Sequence, residues 1–322
     1  MAVPLRGQVY ATAWEDYVKT KPEDQIFNHF WLLENLRTGN SFRKGNGRII
    51  TGTIEYAQNP TVKAMGEMDS LDLTRGDFLD VYEYAYKFVG GLFVMSEFEK
   101  QATAGDGGKL DLDAAKMDNL KKSMFSNISA QCYGDGSGTG GFEAGGLALL
   151  VSATPTTGTR GGISSASFTF WRSQQTSGAK TSTAFDNVKP GLRSLYNLQS
   201  SGVGYTTPEF AVGDRASFEG YEAVCTTNER LNRSAVTDKL LSGYKGDHIM
   251  FKDVPFAFDF GCTAAAIYLL NKTNLFIRYM LWMKAFPPAS PVNQFVDAVK
   301  IYNIFNLCTD NPRRLGVLTG IT

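Results

Sequence analysis

The 322-residue sequence is short of the side chains that usually carry chemistry. It holds two histidines, His29 and His248, with no H-E-x-x-H spacing and no suitable Cys or Asp nearby, so a metal site or a Ser-His hydrolase lacks support. Its four cysteines, Cys132, Cys225, Cys262 and Cys308, are scattered without paired spacing, which argues against a zinc knuckle and a disulfide scaffold and predicts buried free thiols. Net charge is also missing. Lys plus Arg and Asp plus Glu both number 32, so nothing in the sum attracts a phosphate backbone or keeps copies of the protein apart. No apolar run approaches the roughly 20 residues of a membrane span. The opening MAVPLRGQVYATAWEDYV meets acids before any apolar core, which predicts synthesis in the cytoplasm without a signal peptide.

What the chain does have is apolar mass, 43% of residues with 12% aromatic, enough to build one large or two modest domains. PEDQIFNHFWLLENLR places Ile26, Phe30 and Leu33 at helical spacing, with Gly39 as its stop. A basic, glycine-containing linker follows and is read as solvated. GRIITGTIEYA alternates as a strand, and FLDVYEYAYKFVGGLFVMSEFE pairs with it, placing Tyr82, Tyr84, Tyr86 and Phe88 on one face until Gly90 and Gly91. Between them, QNPTVKAMGEMDSLDLTRGD has no clear period, and loops of that length are usually functional or disordered. A two-stranded ribbon is marginal alone in water, so a long one must lie on something, and another subunit is a candidate.

The strongest helical signal is LDLDAAKMDNLKKSMFSNISAQCYGDG, with Met117, Leu120, Met124, Ile128 and Cys132 in register over about six turns. Glycine, serine and threonine then dominate from Gly134 to Ser182, which marks a domain boundary. Between Glu143 and Gln175 the only charged residues are Glu143, Arg160 and Arg172, too few for a catalytic loop. Helical patterns at VKPGLRSLYNLQSSG and DRASFEGYEAVCTT flank the strand PEFAV, and from Asp247 onward strands prevail, the last reading as one long alternating run from Gln294. The class is α+β.

Several motifs match by letter and fail by context. GSGTGG, Gly136 to Gly141, follows a helix rather than a strand and reads as a turn, not a dinucleotide loop. SGAKTS near Lys180 lacks the spacing of a phosphate loop. DFG, Asp259 to Gly261, has no kinase elements before it and reads as a strand end, and RGD, Arg75 to Asp77, sits in the long loop. Carboxylate-pair catalysis is open on sequence alone, because 32 acids allow many pairings, but nothing points to it.

The segments YGDGSGTGGFEAGGLALLVSATPTTGTRGGISSASFTFWRSQ, SLYNLQSSGVGYTTPEFAV, FEGYEAVCTTNERL and FKDVPFAFDFGCTAAAIYLLNKTNLFI follow one another in an order that resembles the major capsid proteins of tailed bacteriophages, the Hong Kong 97-like fold. The resemblance covers most of the chain from Arg48. It implies an N-terminal arm over 1–47, an extended β-ribbon loop over 48–97 and a peripheral domain with a spine helix over 98–141. An apical domain over 142–272 and C-terminal peripheral strands over 273–322 complete it. It further implies pentamers and hexamers closing into an icosahedral shell around double-stranded DNA. The implied partners are the chain itself, a separate scaffold, a portal, cement proteins and weak non-specific contact with packaged DNA. No catalytic residue, cofactor, metal or membrane is expected. The location implied is the virion capsid, after assembly in the bacterial cytoplasm.

Intersubunit contact is expected from the extended loop, at Ile54, Tyr56, Pro60, Lys63, Met65, Met68, Leu71 and Arg75. Some relatives crosslink a loop lysine to a neighbour's asparagine; Lys63, Asn303 and Asn306 lie in the corresponding elements, and spacing alone does not bring them together. Within the fold the rival is an encapsulin-like compartment around protein cargo. Outside it the rivals are a soluble nucleotide-binding enzyme, disfavoured by the lack of a placed phosphate motif, and a tail or decoration protein.

Overall fold

A computed structural model describes residues 30–39, 41–70, 73–74, 76–99, 112–177, 188–200, 206–228, 249–289 and 295–321. In chain order they form a helix, Trp31–Thr38, then β1 (Phe42–Lys44), β2 (Ile49–Glu55), β3 (Leu79–Ala85) and β4 (Lys87–Ser96). A long helix, Leu112–Tyr133, precedes β5 (Thr159–Arg160), β6 (Ile163–Ser164) and β7 (Gln174–Ser177). Helix Val188–Ser200, β8 (Phe210–Gly213) and helix Arg215–Asn228 follow. The remainder is β9 (Ile249–Phe251), β10 (Val254–Phe258), β11 (Ile267–Leu270), β12 (Leu275–Ala285), β13 (Val296–Thr309) and β14 (Gly316–Thr319). The mixture is α+β, as the residue patterns predict.

The chain divides into two compact units. The larger holds His29–Lys87, Ser129–Met280 and Phe305–Thr322. Its core is a six-stranded mixed sheet in the order β7-β14-β11-β8-β10-β9. Every residue of β8 and β11, the two central strands, is buried. Val188, Leu192 and Leu195 from one helix and Phe218 and Tyr221 from another join Phe256, Ile267, Leu269 and Leu318 in one cluster. Phe218 and Tyr221 both meet the Phe256 ring edge-on, at 5.3 and 5.7 Å between centroids, a geometry that aligns ring edges with ring faces. β9 and β10 are joined through Lys252 and Asp253, both at positive φ, the twist that a two-residue hairpin turn requires.

In the smaller unit, which includes Phe88–Ile128 and Leu281–Ile304, a Cβ on Gly91 of β4 would stand 2.7 Å from Leu120 and 3.6 Å from Met124 of the long helix. Glycine there lets strand and helix approach closely. Met124, Ile128 and Cys132 are buried along the face that the sequence marks, while Met117 and Leu120 are half-buried. Back in the larger unit, β1 pairs in parallel with β12, Phe42 opposite Ile277 and Lys44 opposite Tyr279.

Several local readings change. The basic segment read as a solvated linker is in part a strand, since Phe42–Lys44 form β1 and Ser41 and Gly45 beside it are buried. The helix ahead of Gly39 is described from Trp31 on; its predicted first part, with Ile26, lies outside the described residues. The tyrosine run breaks at Tyr86: β3 ends at Ala85 and β4 starts at Lys87, so Tyr82, Tyr84 and Tyr86 are buried while Phe88 is exposed. The final run is two strands, because Pro312, which has no N–H to give a ladder, opens a short 3-10 turn after Thr309.

Candidate assembly surface

The ribbon β2-β3 is in strict antiparallel register from Ile49 opposite Ala85 to Glu55 opposite Leu79. One of its faces lies on the chain's own glycine-rich segment. The Glu83 amide donates to the Gly161 carbonyl at 2.9 Å. Tyr82 stacks on Trp171 at 6.0 Å, and Tyr56 stacks on Phe170 at 4.9 Å. Tyr84 donates its hydroxyl to the Thr309 carbonyl at 3.3 Å. Two glycines make these contacts geometrically possible. A Cβ on Gly52 would fall 2.3 Å from the Tyr82 hydroxyl, and Gly161, at φ +55, would drive one to within 2.9 Å of the Tyr84 ring.

The support under the ribbon is itself held by polar bonds. Arg160, 1% exposed, donates from Nε to the Leu149 carbonyl at 2.7 Å and from a terminal nitrogen to Ser165 Oγ at 2.6 Å. Trp171 Nε1 donates back to the Arg160 carbonyl at 2.8 Å. Burial pushes the Arg160 pKa down from its ordinary value, with Tyr84 opposing the shift. A buried cation without its hydrogen bonds would be costly, so this residue fixes the segment's conformation. That is the work of the nearly uncharged stretch from Glu143 to Gln175: it is a floor for the ribbon.

Beyond the ribbon the loop is exposed. Met68 is 98% exposed, Leu73 97% and Val62 81%. Asn59 accepts from the Thr61 amide at 3.0 Å, and Asp69 from the Gly66 amide at 2.8 Å, which closes two local turns. A cleft of about 580 Å³ opens between the two loop limbs, lined by Glu55, Ala57, Asn59, Pro60, Leu73 and Phe78 among others.

Of the expected contact residues, Pro60, Lys63, Met65 and Met68 are exposed on this loop. Ile54 and Tyr56 are half-covered, Tyr56 by the chain's own Phe170. Leu71 and Arg75 lie outside the described residues. Exposed Val62, Leu73, Phe78 and Leu79 were not singled out by sequence; the signal was apolar side chains in a segment without period. In the smaller unit, Phe88, Leu92 and Val94 are exposed along one face of β4.

DFG and GSGTGG resolve into structural roles, while Lys180 of SGAKTS and Arg75 of RGD lie outside the described residues. Asp259 of the DFG tripeptide is 2% exposed and accepts from the Leu32 amide at 3.1 Å, the Tyr133 hydroxyl at 2.9 Å and the Gly261 amide at 3.2 Å. It thereby serves the first turn of helix Trp31–Thr38, whose own N-cap residue, Phe30, supplies no side-chain bond. Thr139 and Gly140 of GSGTGG adopt left-handed φ in a turn after the long helix. Burial pushes the Cys132 thiol up to about 12 and raises Cys262 and Cys308 as well, the reverse of an activated nucleophile. Asn303 is fully buried and accepts from the Met283 amide, and buried Asn306 donates to the Ala85 carbonyl at 2.8 Å. Neither amide is presented for a crosslink.

No protein-family pattern matches the chain, and no curated protein matches it in sequence. Solved structures do match. The capsid asymmetric unit of cyanophage A-1(L) is 17% identical, with a TM-score of 0.73 over 94% of this chain and 95% of that one. The holo encapsulin complex of Synechococcus elongatus is 12% identical, with a TM-score of 0.63 over 100% and 96%. The capsid of Myoviridae phage XM1 is 14% identical, with a TM-score of 0.59 over 99% of both chains. The chain has the fold of these shell-forming proteins.

Proposed function

We propose that this chain is the major capsid protein of a tailed phage or prophage, a structural protein that assembles through pentamers and hexamers into an icosahedral shell around double-stranded DNA. The observation that carries the reading is the extent of the likeness to capsid subunits, 94% of this chain and 95% of the A-1(L) subunit, end to end rather than over one domain. The loop on its covered ribbon supports it, since Val62, Met65, Met68, Leu73, Phe78 and Leu79 are all exposed within one segment, and apolar side chains gathered on a surface mark a contact site. Closed symmetric assembly multiplies modest contacts of this kind.

In this reading the protein is not an enzyme, and its shell is held by non-covalent contacts. The eight loop residues expected from the sequence face a neighbouring subunit, assembly takes place in the host cytoplasm, and scaffold, portal and cement proteins are separate chains. Contact with DNA is weak, because affinity through phosphates scales with the cations supplied and the chain has none in excess. The encapsulin match supports a second reading, a compartment around protein cargo. Particle contents separate the two: nuclease-protected double-stranded DNA in purified particles is the outcome expected, and a protein cargo without nucleic acid would reject the capsid in favour of the compartment.

A further inference from the structure

Two short segments of the larger unit carry opposite charge. From Arg37 to Arg48 the chain has four cations and no acid; from Glu67 to Asp80 it has five acids and one cation. The basic segment leads into the ribbon at Ile49, and the acidic one belongs to the loop beyond the other end, where Glu55 faces Leu79. Strand geometry holds the two ribbon ends about 20 Å apart. Lys44, Arg48, Glu67, Asp69 and Asp77 are all exposed, and none of them is in an ion pair among the described residues. Interleaved with the acids are the two most exposed apolar side chains on the loop, Met68 and Leu73.

Resting on the shell-subunit reading above, we propose that the acidic loop of one copy docks on the Arg37–Arg48 segment of a second copy. Two observations favour a second copy over a nucleic acid. A phosphate backbone would engage the cations but leave the acids without a partner, whereas the chain supplies both signs in similar number. A backbone would also leave Met68 and Leu73 in water, while a protein surface covers apolar side chains and pairs the charges around them. Opposite potentials on the two surfaces set orientation and register.

Charge exchange tests this. Lys44→Glu with Arg48→Glu reverses the basic side, Glu67→Lys with Asp77→Lys reverses the acidic side, and a fourfold variant carries both. All four positions are exposed, so thermal melting should show each variant folded. Each one-sided variant is expected to raise the critical concentration for assembly about tenfold at low salt, and the fourfold variant to return within about threefold of the parent. About 0.5 M salt should shrink all these differences. One-sided variants that assemble like the parent, or a fourfold variant no better than the worse of them, would overturn the proposal. So would a basic-side variant that assembles normally but retains less nucleic acid, which assigns that segment to DNA. A parent chain that never assembles would remove the shell reading and this contact together; a parent that does assemble leaves the shell reading standing whichever way the variants fall.

Discussion

In the six-stranded sheet, β8 and β11 bury every residue they have; in the ribbon, one face is buried on the chain's own Gly161 and Trp171 while the loop beyond it leaves Val62, Met68 and Leu73 in water. Both places hold large apolar side chains. What differs is whether the chain itself supplies the covering surface. The sheet is finished within one copy and the loop's apolar side chains are not covered, so under the proposed function the two regions should answer differently to mutation: one in stability, the other in assembly.

The largest effect on stability should come from the sheet. Phe256→Ala empties the space between Phe218 and Tyr221 and should cost about 3–5 kcal/mol, read as a lowered denaturant midpoint in the isolated subunit. Next is the polar node. Asp259→Ala leaves the Leu32 amide and the Tyr133 hydroxyl without their acceptor and should cost about 1–3 kcal/mol. Asp259→Asn, which keeps an acceptor oxygen, should cost less. Equal losses from the two would count against the carboxylate's role in holding helix Trp31–Thr38.

Alkaline pH strikes the buried groups. Burial holds Tyr84 and Tyr133 well above the ordinary tyrosine value of 10.0 and lifts Cys132 from 9.0 to about 12. Each folded-state value is raised above the unfolded one, so the associated stability is complete below the unfolded value and lost as pH climbs toward the folded one. The melting temperature should hold to about pH 8 and fall steadily from about pH 9 upward. A flat profile to pH 11 would contradict the burial of these groups. The smallest stability effect belongs to the loop: Met68→Ala should change the melting free energy by less than about 0.5 kcal/mol and yet weaken assembly.

Much of this comparison was legible in the residues. The long helix announced itself through Met124, Ile128 and Cys132, and the ribbon through the alternation of Ile50 with its neighbours, because both patterns report one buried face. The apolar loop was visible as a segment without period. Less legible was the floor beneath the ribbon. In sequence Arg160 is only one of three charges between Glu143 and Gln175, and only the fold brings Leu149, Ser165 and Trp171 around it. The sheet order was hidden too: β14 sits between β7 and β11, a pairing of four-residue strands set by long-range packing rather than by local pattern. Asp259 was read as a strand end, which it is, while its bond to Leu32 spans 227 positions.

The most direct measurement compares the full chain with a variant in which residues 57–77 are replaced by a short turn, each examined by electron microscopy and sedimentation across salt and concentration. The account predicts closed shells, or rings of five and six, from the full chain and a folded, unassembled subunit from the variant. Normal shells without the loop would contradict the central claim that its exposed apolar residues are completed by another copy.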